Sequence, residues 1–218
     1  WDDVETAELL IRRGADVNAA NDLGATPLWI ASLNGSASMV RSLLEAGAEP
    51  NAALLSGEAP VMTAARTGNP RVVELLLSAG ADPNTSATRG QTALMWAASQ
   101  GHSDVIGVLL EYGADIHARS EIWSQVMAVP PHSAPANQQN VPHGGNTALT
   151  FAARVGDLAS ARMLVSAGAD VNDADARGVS VVVLAAYSGF GDLVEFVLDE
   201  GADPNAAEAG FSALHVTI

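Results

Sequence analysis

Residues 24–47 read GATPLWIASLNGSASMVRSLLEAG. Thr26 offers a hydroxyl at a helix N-cap, and Pro27 takes the first helical position, where its missing N–H has no intrahelical partner to lose. A short helix is therefore predicted to begin there. It stops at Gly35, a residue free to adopt the left-handed conformation that closes a helix C-terminus. A second helix follows from Ser36, with Met39, Val40, Leu43 and Leu44 along one face, and ends at Gly47 in the same way. The next ten residues, AEPNAALLSG, are turn-rich and predict an extended hairpin before the following helix start.

The pattern repeats. Gly-Ala-Asp or Gly-Ala-Glu begins at Gly14, Gly47, Gly80, Gly113, Gly168 and Gly201, so the successive spacings are 33, 33, 33, 55 and 33. A second series, Gly35, Gly68, Gly101, Gly156 and Gly189, gives 33, 33, 55 and 33. Two independent markers share one period and one interruption. They define an array of 33-residue units carrying an insertion of 55 minus 33, or 22, residues. The first-helix sequence recurs as QTALMWAASQG, NTALTFAARVG and VSVVVLAAYSG.

Composition narrows the function classes. The 218 residues are 48% hydrophobic and 16% charged, as in a globular protein. The 25 acidic and 10 basic residues give a net charge of -15, and every basic residue is Arg. That balance repels phosphate backbones and argues against a nucleic-acid partner. The absence of Cys removes disulfides, thiolate metal sites and Cys nucleophiles. No apolar run approaches the roughly 18 residues that span a bilayer, so direct membrane insertion is not expected.

The chain has no phosphate loop, no HExxH and no nucleophile elbow. GFGDLV, from Gly189, lacks the third glycine of a dinucleotide fingerprint and reads as an interhelical turn. His102 and Asp104 in GHSD stand where a second helix begins, where they are expected to cap it and complement its dipole. Asp16, Asp82, Asp115, Asp170 and Asp203 are turn residues after capped helices. His117, His132 and His143 have spacings that match no helix or hairpin ligand set. No catalytic residue, cofactor or metal is therefore expected.

GATPLWIASLNG and GHSDVIGVLLEYGADIHA resemble the ankyrin repeat in its order of hairpin, helix, turn and helix, over almost the whole chain outside the insertion. Ala59 and Ser180 depart from the capping Thr, and Trp29, Met62, Met95, Thr150 and Val183 stand where the family has His, which His215 keeps. The resemblance implies a mainly α solenoid of stacked helix-turn-helix units with short β-hairpin fingers. Read as one array, the chain has a half repeat at 1–20 and full repeats at about 21–53, 54–86, 87–119, 144–174 and 175–207. A partial repeat covers 208–218, and the loop insertion about 120–143. Leu9, Leu10 and Ile11 near one end, and Leu214, Val216 and Ile218 at the other, leave neither end polar. A solenoid needs polar caps, so we expect a segment of a longer chain.

The hairpins and first helices carry five Arg (66, 89, 119, 154, 177) against six acids (22, 58, 121, 173, 175, 208). The remaining positions carry the other 5 Arg and 19 acids, which puts the negative charge on the outer side. In ankyrin-type arrays the concave inner-helix and hairpin side is the recognition surface. Its variable positions here are Leu23, Leu33, Asn34, Leu55, Glu58, Arg66, Thr67 and Arg89, followed by Gln91, Ser99, Gln100, Arg154, Val155, Arg177 and Tyr187. Trp96 and Phe151 take the apolar position before an Ala pair and are expected in the core.

In the insertion, Pro130, Pro131, Pro135 and Pro142 favour an extended or irregular loop. Ile122, Trp123, Val126 and Met127 are expected to fold back on neighbouring hairpins or to touch a partner. Trp123 thus joins the candidate contact residues. The expected function is a noncatalytic scaffold that binds a protein partner. The alternative is a targeting or regulatory segment of a longer multidomain enzyme.

Overall fold

The computed structural model describes residues 3–128 and 138–217. The chain forms two compact units, the first running to Ile116 and the second beginning at His117. In the first unit, α1 (Val4–Arg12) precedes three helix pairs: α2 (Pro27–Leu33) with α3 (Ala37–Glu45), α4 (Pro60–Thr67) with α5 (Pro70–Ser78), and α6 (Ala93–Gln100) with α7 (Ser103–Glu111). The first helices α2, α4 and α6 stack as one layer, and α3, α5 and α7 stack as a second, with α1 against α3. The second unit holds β1 (Trp123–Ala128) and β2 (Gln138–His143). It continues with α8 (Ala148–Val155), α9 (Leu158–Ser166), α10 (Val181–Tyr187), α11 (Gly191–Asp199) and a 3-10 turn at Ala213–Val216.

The predicted caps form where the chemistry allows. Thr26, Thr92 and Thr147 accept from the backbone N–H three residues on, at 3.2, 3.4 and 3.4 Å. Ala59 has nothing to accept with, and Ser180 Oγ is buried without a partner. Leu28, Leu94 and Leu149 are fully buried one position beyond each helix start, and the Ala pairs 64/65, 97/98 and 152/153 let the layers approach closely. Burial of one such Leu contributes about 2 kcal/mol.

The repeats are also tied by a side-chain ladder that the sequence reading did not identify. Asn18, Asn51 and Asn84 each donate from Nδ2 to the carbonyl of the next repeat's helix-ending glycine (Gly47, Gly80, Gly113) at 2.9–3.1 Å. Each also accepts, through Oδ1, from the N–H two residues further on. Asn172 does the same toward Gly201 and Asp203 in the second unit. Asp16, Asp82, Asp170 and Asp203 each accept from the N–H two residues on, as turn residues do.

The fingers are short hairpins that close on backbone bonds such as Leu54 N–H to Glu58 O at 3.0 Å, and among the described residues two carry an isolated β-bridge. Contrary to expectation, the His102 side chain does not cap α7, since it accepts no hydrogen bond from the helix N–H groups. Its ring lies on Gly68 of the preceding repeat, and Nε2 is 3.3 Å from Arg66 O. The shorter Asn69 manages both tasks, accepting from Arg71 and Val72 while donating to Gly35 O at 2.8 Å. Of the two forms expected for the insertion, extended or irregular, its ends take the extended one. β1 and β2 pair antiparallel from Trp123/His143 to Ala128/Gln138, since aromatic and β-branched residues at 123, 126 and 141 suit a strand. Pro130, Pro131, His132 and Pro135 lie outside the described residues.

Candidate interaction surface

In the first unit, each finger presents a tip residue to water and shares a backbone bond with the next. Leu55 N–H donates to Leu23 O at 3.0 Å, and Thr88 N–H to Ser56 O at 3.2 Å. Leu23 is 67% exposed and Leu55 83%. The neighbouring tip is the 3-10 turn Thr88–Gly90, where Arg89 alone among the described non-glycine residues has positive φ, at 67°.

Beside the fingers, Arg66 is not a free cation. Its Nη2 lies 3.1 Å from Glu58 Oε1, which also accepts from the buried Thr63 hydroxyl. Its guanidinium carbon sits 5.8 Å from the centre of the Trp96 ring. Trp96 is only half-buried, which corrects its placement in the core. Thr67 and Ser99 use their hydroxyls on the carbonyls of Ala64 and Trp96 three residues back, so their polar groups are partly satisfied. Leu33, Asn34 and Gln100 are exposed at the ends of α2 and α6, while Gln91 is half-buried at the turn. The same unit has an apolar groove lined by Leu10, Ile11, Ile30 and Met39, away from the finger tips.

The second unit repeats the arrangement with other residues. Arg154 donates to Asn146 Oδ1 at 3.0 Å and lies 5.8 Å from the Phe151 ring centre, and Phe151, like Trp96, is half-buried rather than in the core. Arg177 forms a two-bond clasp on its neighbour Asp175, at 3.2 and 2.9 Å, and Asp175 is itself buried. Val155 is exposed, and Tyr187 stands 76% exposed at the end of α10. Trp123 stacks on His143 with ring centres 4.5 Å apart and is half-buried, so it turns toward its own ribbon, whereas Ile122 and Val126 remain exposed.

Sequence reasoning counted Arg119 as a charge but missed its role. It donates to Gly145 O at 2.9 Å and Ala174 O at 3.0 Å and pairs with the buried Asp173. These bonds clamp the base of the insertion to the next finger. Nothing in the repeat pattern singles it out, because its partners are 26 to 55 residues away.

Among the described residues, no group of three or more His, Asp or Glu side chains is placed to hold a metal ion, and no helix is long and apolar enough to cross a membrane. The first unit offers exposed Leu23 and Leu55 with Arg66 held by Glu58 and Trp96, and the second offers exposed Tyr187 with Arg154 held by Asn146 and Arg177 by Asp175. A family model described as ankyrin repeats matches the chain in three copies, at residues 2–53, 51–120 and 125–208. No curated protein matches it.

Proposed function

Since the chain belongs to the ankyrin-repeat family, whose repeats are generally protein–protein interaction modules, we propose that it is a noncatalytic scaffold binding a protein partner through its inner-helix and finger surface. The observation that carries this reading is the pair Leu23 and Leu55, on adjacent fingers joined by a backbone hydrogen bond. Two large apolar side chains exposed on adjacent fingers carry an unfavourable hydration free energy that a covering partner removes, about 2 kcal/mol for each fully buried Leu. Arg66 over Trp96 in the first unit, and Arg154 by Phe151 with Tyr187 in the second, supply the residue types that dominate interface energetics. The carboxylates of Glu58 and Asp175 hold Arg66 and Arg177 in position before any partner arrives, which lowers the ordering cost of binding.

The test replaces Leu23 and Leu55 together with Ser and compares affinity capture with the unaltered chain, the captured proteins being quantified by mass spectrometry. The double variant is expected to lose its partners while its melting temperature is unchanged, because neither side chain is part of the core. An identical set of captured proteins would overturn the assignment of the partner site to this surface.

A further inference from the structure

The insertion carries an interaction surface of a different kind, independent of the scaffold reading. In the β1/β2 ribbon, Ser124 lies opposite Pro142. Proline has no N–H, so this pair cannot be one that exchanges two hydrogen bonds. The exchanging pairs are Trp123/His143, Gln125/Val141 and Met127/Gln139. The backbone groups of Ser124, Val126 and Ala128 therefore point away from the ribbon on the β1 side, and those of Gln138, Asn140 and Pro142 on the β2 side.

The two edges are unequal. Pro142 removes a donor from the β2 edge, and Val141, Pro142 and His143 are half-buried. On β1, Ser124, Gln125 and Val126 are exposed, Val126 at 59%, and among the described residues neither strand has a second neighbour. Sheets ordinarily guard such an edge with charge. Between Ile122 and His143 there is no Asp, Glu, Lys or Arg, in a chain with 25 acidic and 10 basic residues.

We propose that the β1 edge pairs antiparallel with β1 of a second copy of this chain. The outward-pointing residues are centred on Val126. A twofold axis there sets Val126 against its own copy and Ser124 against the partner subunit's Ala128, each in an exchanging pair, so the outward N–H and C=O groups of the edge are satisfied together. The exposed Val126 side chain packs on its copy. The uncharged segment explains how two chains of charge -15 meet at this place: no carboxylate faces another across the new strand pair. One strand pair is a small interface, of the kind that gives weak association which grows with concentration.

Sedimentation equilibrium of the intact chain over a wide span of concentration tests the proposal, alongside Val126→Pro and Asn140→Pro. Val126 and Asn140 are opposite each other with outward N–H groups, so neither substitution removes a bond of the ribbon itself. The chain and Asn140→Pro are expected to double in mass with concentration, and Val126→Pro to remain at one chain. Val126→Lys, which leaves the backbone intact and puts a charge on the edge, is expected to remain at one chain too. A chain that stays monomeric throughout, or a Val126→Pro and Val126→Lys pair that dimerise like the parent, overturns it. A monomeric parent that still loses partners on replacement of Leu23 and Leu55 leaves the scaffold reading standing.

Discussion

Replacing Gly68 with Ala tests how the left-handed glycine of one repeat receives a side chain from the next. Gly68 has φ 80°, and a Cβ there would lie 2.5 Å from His102 Cε1. Two costs combine. The left-handed conformation costs an L-residue about 1–2 kcal/mol, and forcing a packed ring aside costs about 1–3 kcal/mol more. The displaced ring also gives up its approach to Arg66 O at 3.3 Å. The expected loss is therefore about 2–5 kcal/mol.

Gly80→Ala is the matched control, because Gly80 has φ 93° but nothing within 4 Å of the added methyl. Only the conformational cost of about 1–2 kcal/mol should remain there. In a Gly68→Ala, His102→Ala double variant the overlap disappears, and the cost of Ala at 68 should fall to the Gly80 value, leaving a coupling energy between the two sites. Urea unfolding gives the losses, and hydrogen exchange over α4 and α7 reports local opening, which repeat proteins permit. Equal losses for Gly68→Ala and Gly80→Ala, or strict additivity in the double variant, would refute the packing argument.

Asn51→Ala removes two hydrogen bonds between repeats, each 2.9 Å, to Gly80 O and from Asp82 N–H. The expected cost is about 1–3 kcal/mol, with faster exchange at the Asp82 amide; unchanged exchange there would show that the ladder holds nothing. At the start of α1, the Asp3 carboxylate accepts from Thr6 N–H and the Thr6 hydroxyl, which hold its pKa below the ordinary 3.8. Because the folded value is the lower one, the contribution of this cap is fully present above pH 3.8 and is lost as pH falls through the folded value. An NMR titration of Asp3 with the Thr6 amide should show one shared midpoint below 3.8, and a midpoint at or above it contradicts the capping account.

Local signals were legible, and contacts between distant residues much less so. Thr26, Thr92 and Thr147 cap as read, because a cap involves residues only three apart. His102 was misjudged since its sequence position is that of a cap while its ring is occupied by a glycine 34 residues earlier. The Asn ladder had a signal that went unused: Asn18, Asn51 and Asn84 are 33 apart, and Asn172 follows 88 later, which is 33 plus the 55 of the interrupted unit. Arg119 had none. For the interaction surface, exposure of Leu23, Leu55 and Tyr187 followed from their repeat positions, but Glu58 and Arg66 were read as separate variable residues, and Asp175 only as a charge apart from Arg177, where both are pairs.

The amino-acid sequence alone determined the period, the helix starts and stops and the place of the insertion. Each depends on short-range backbone chemistry repeated at a fixed interval, so a single chain of letters carries it in full. Tertiary structure decided which guanidinium meets which carboxylate or ring, how Trp96 and Phe151 divide themselves between core and surface, and that the ends of the insertion close into a ribbon with one open edge. Those outcomes turn on ångström-scale distances between residues far apart in the chain, and such distances exist only after the repeats have packed.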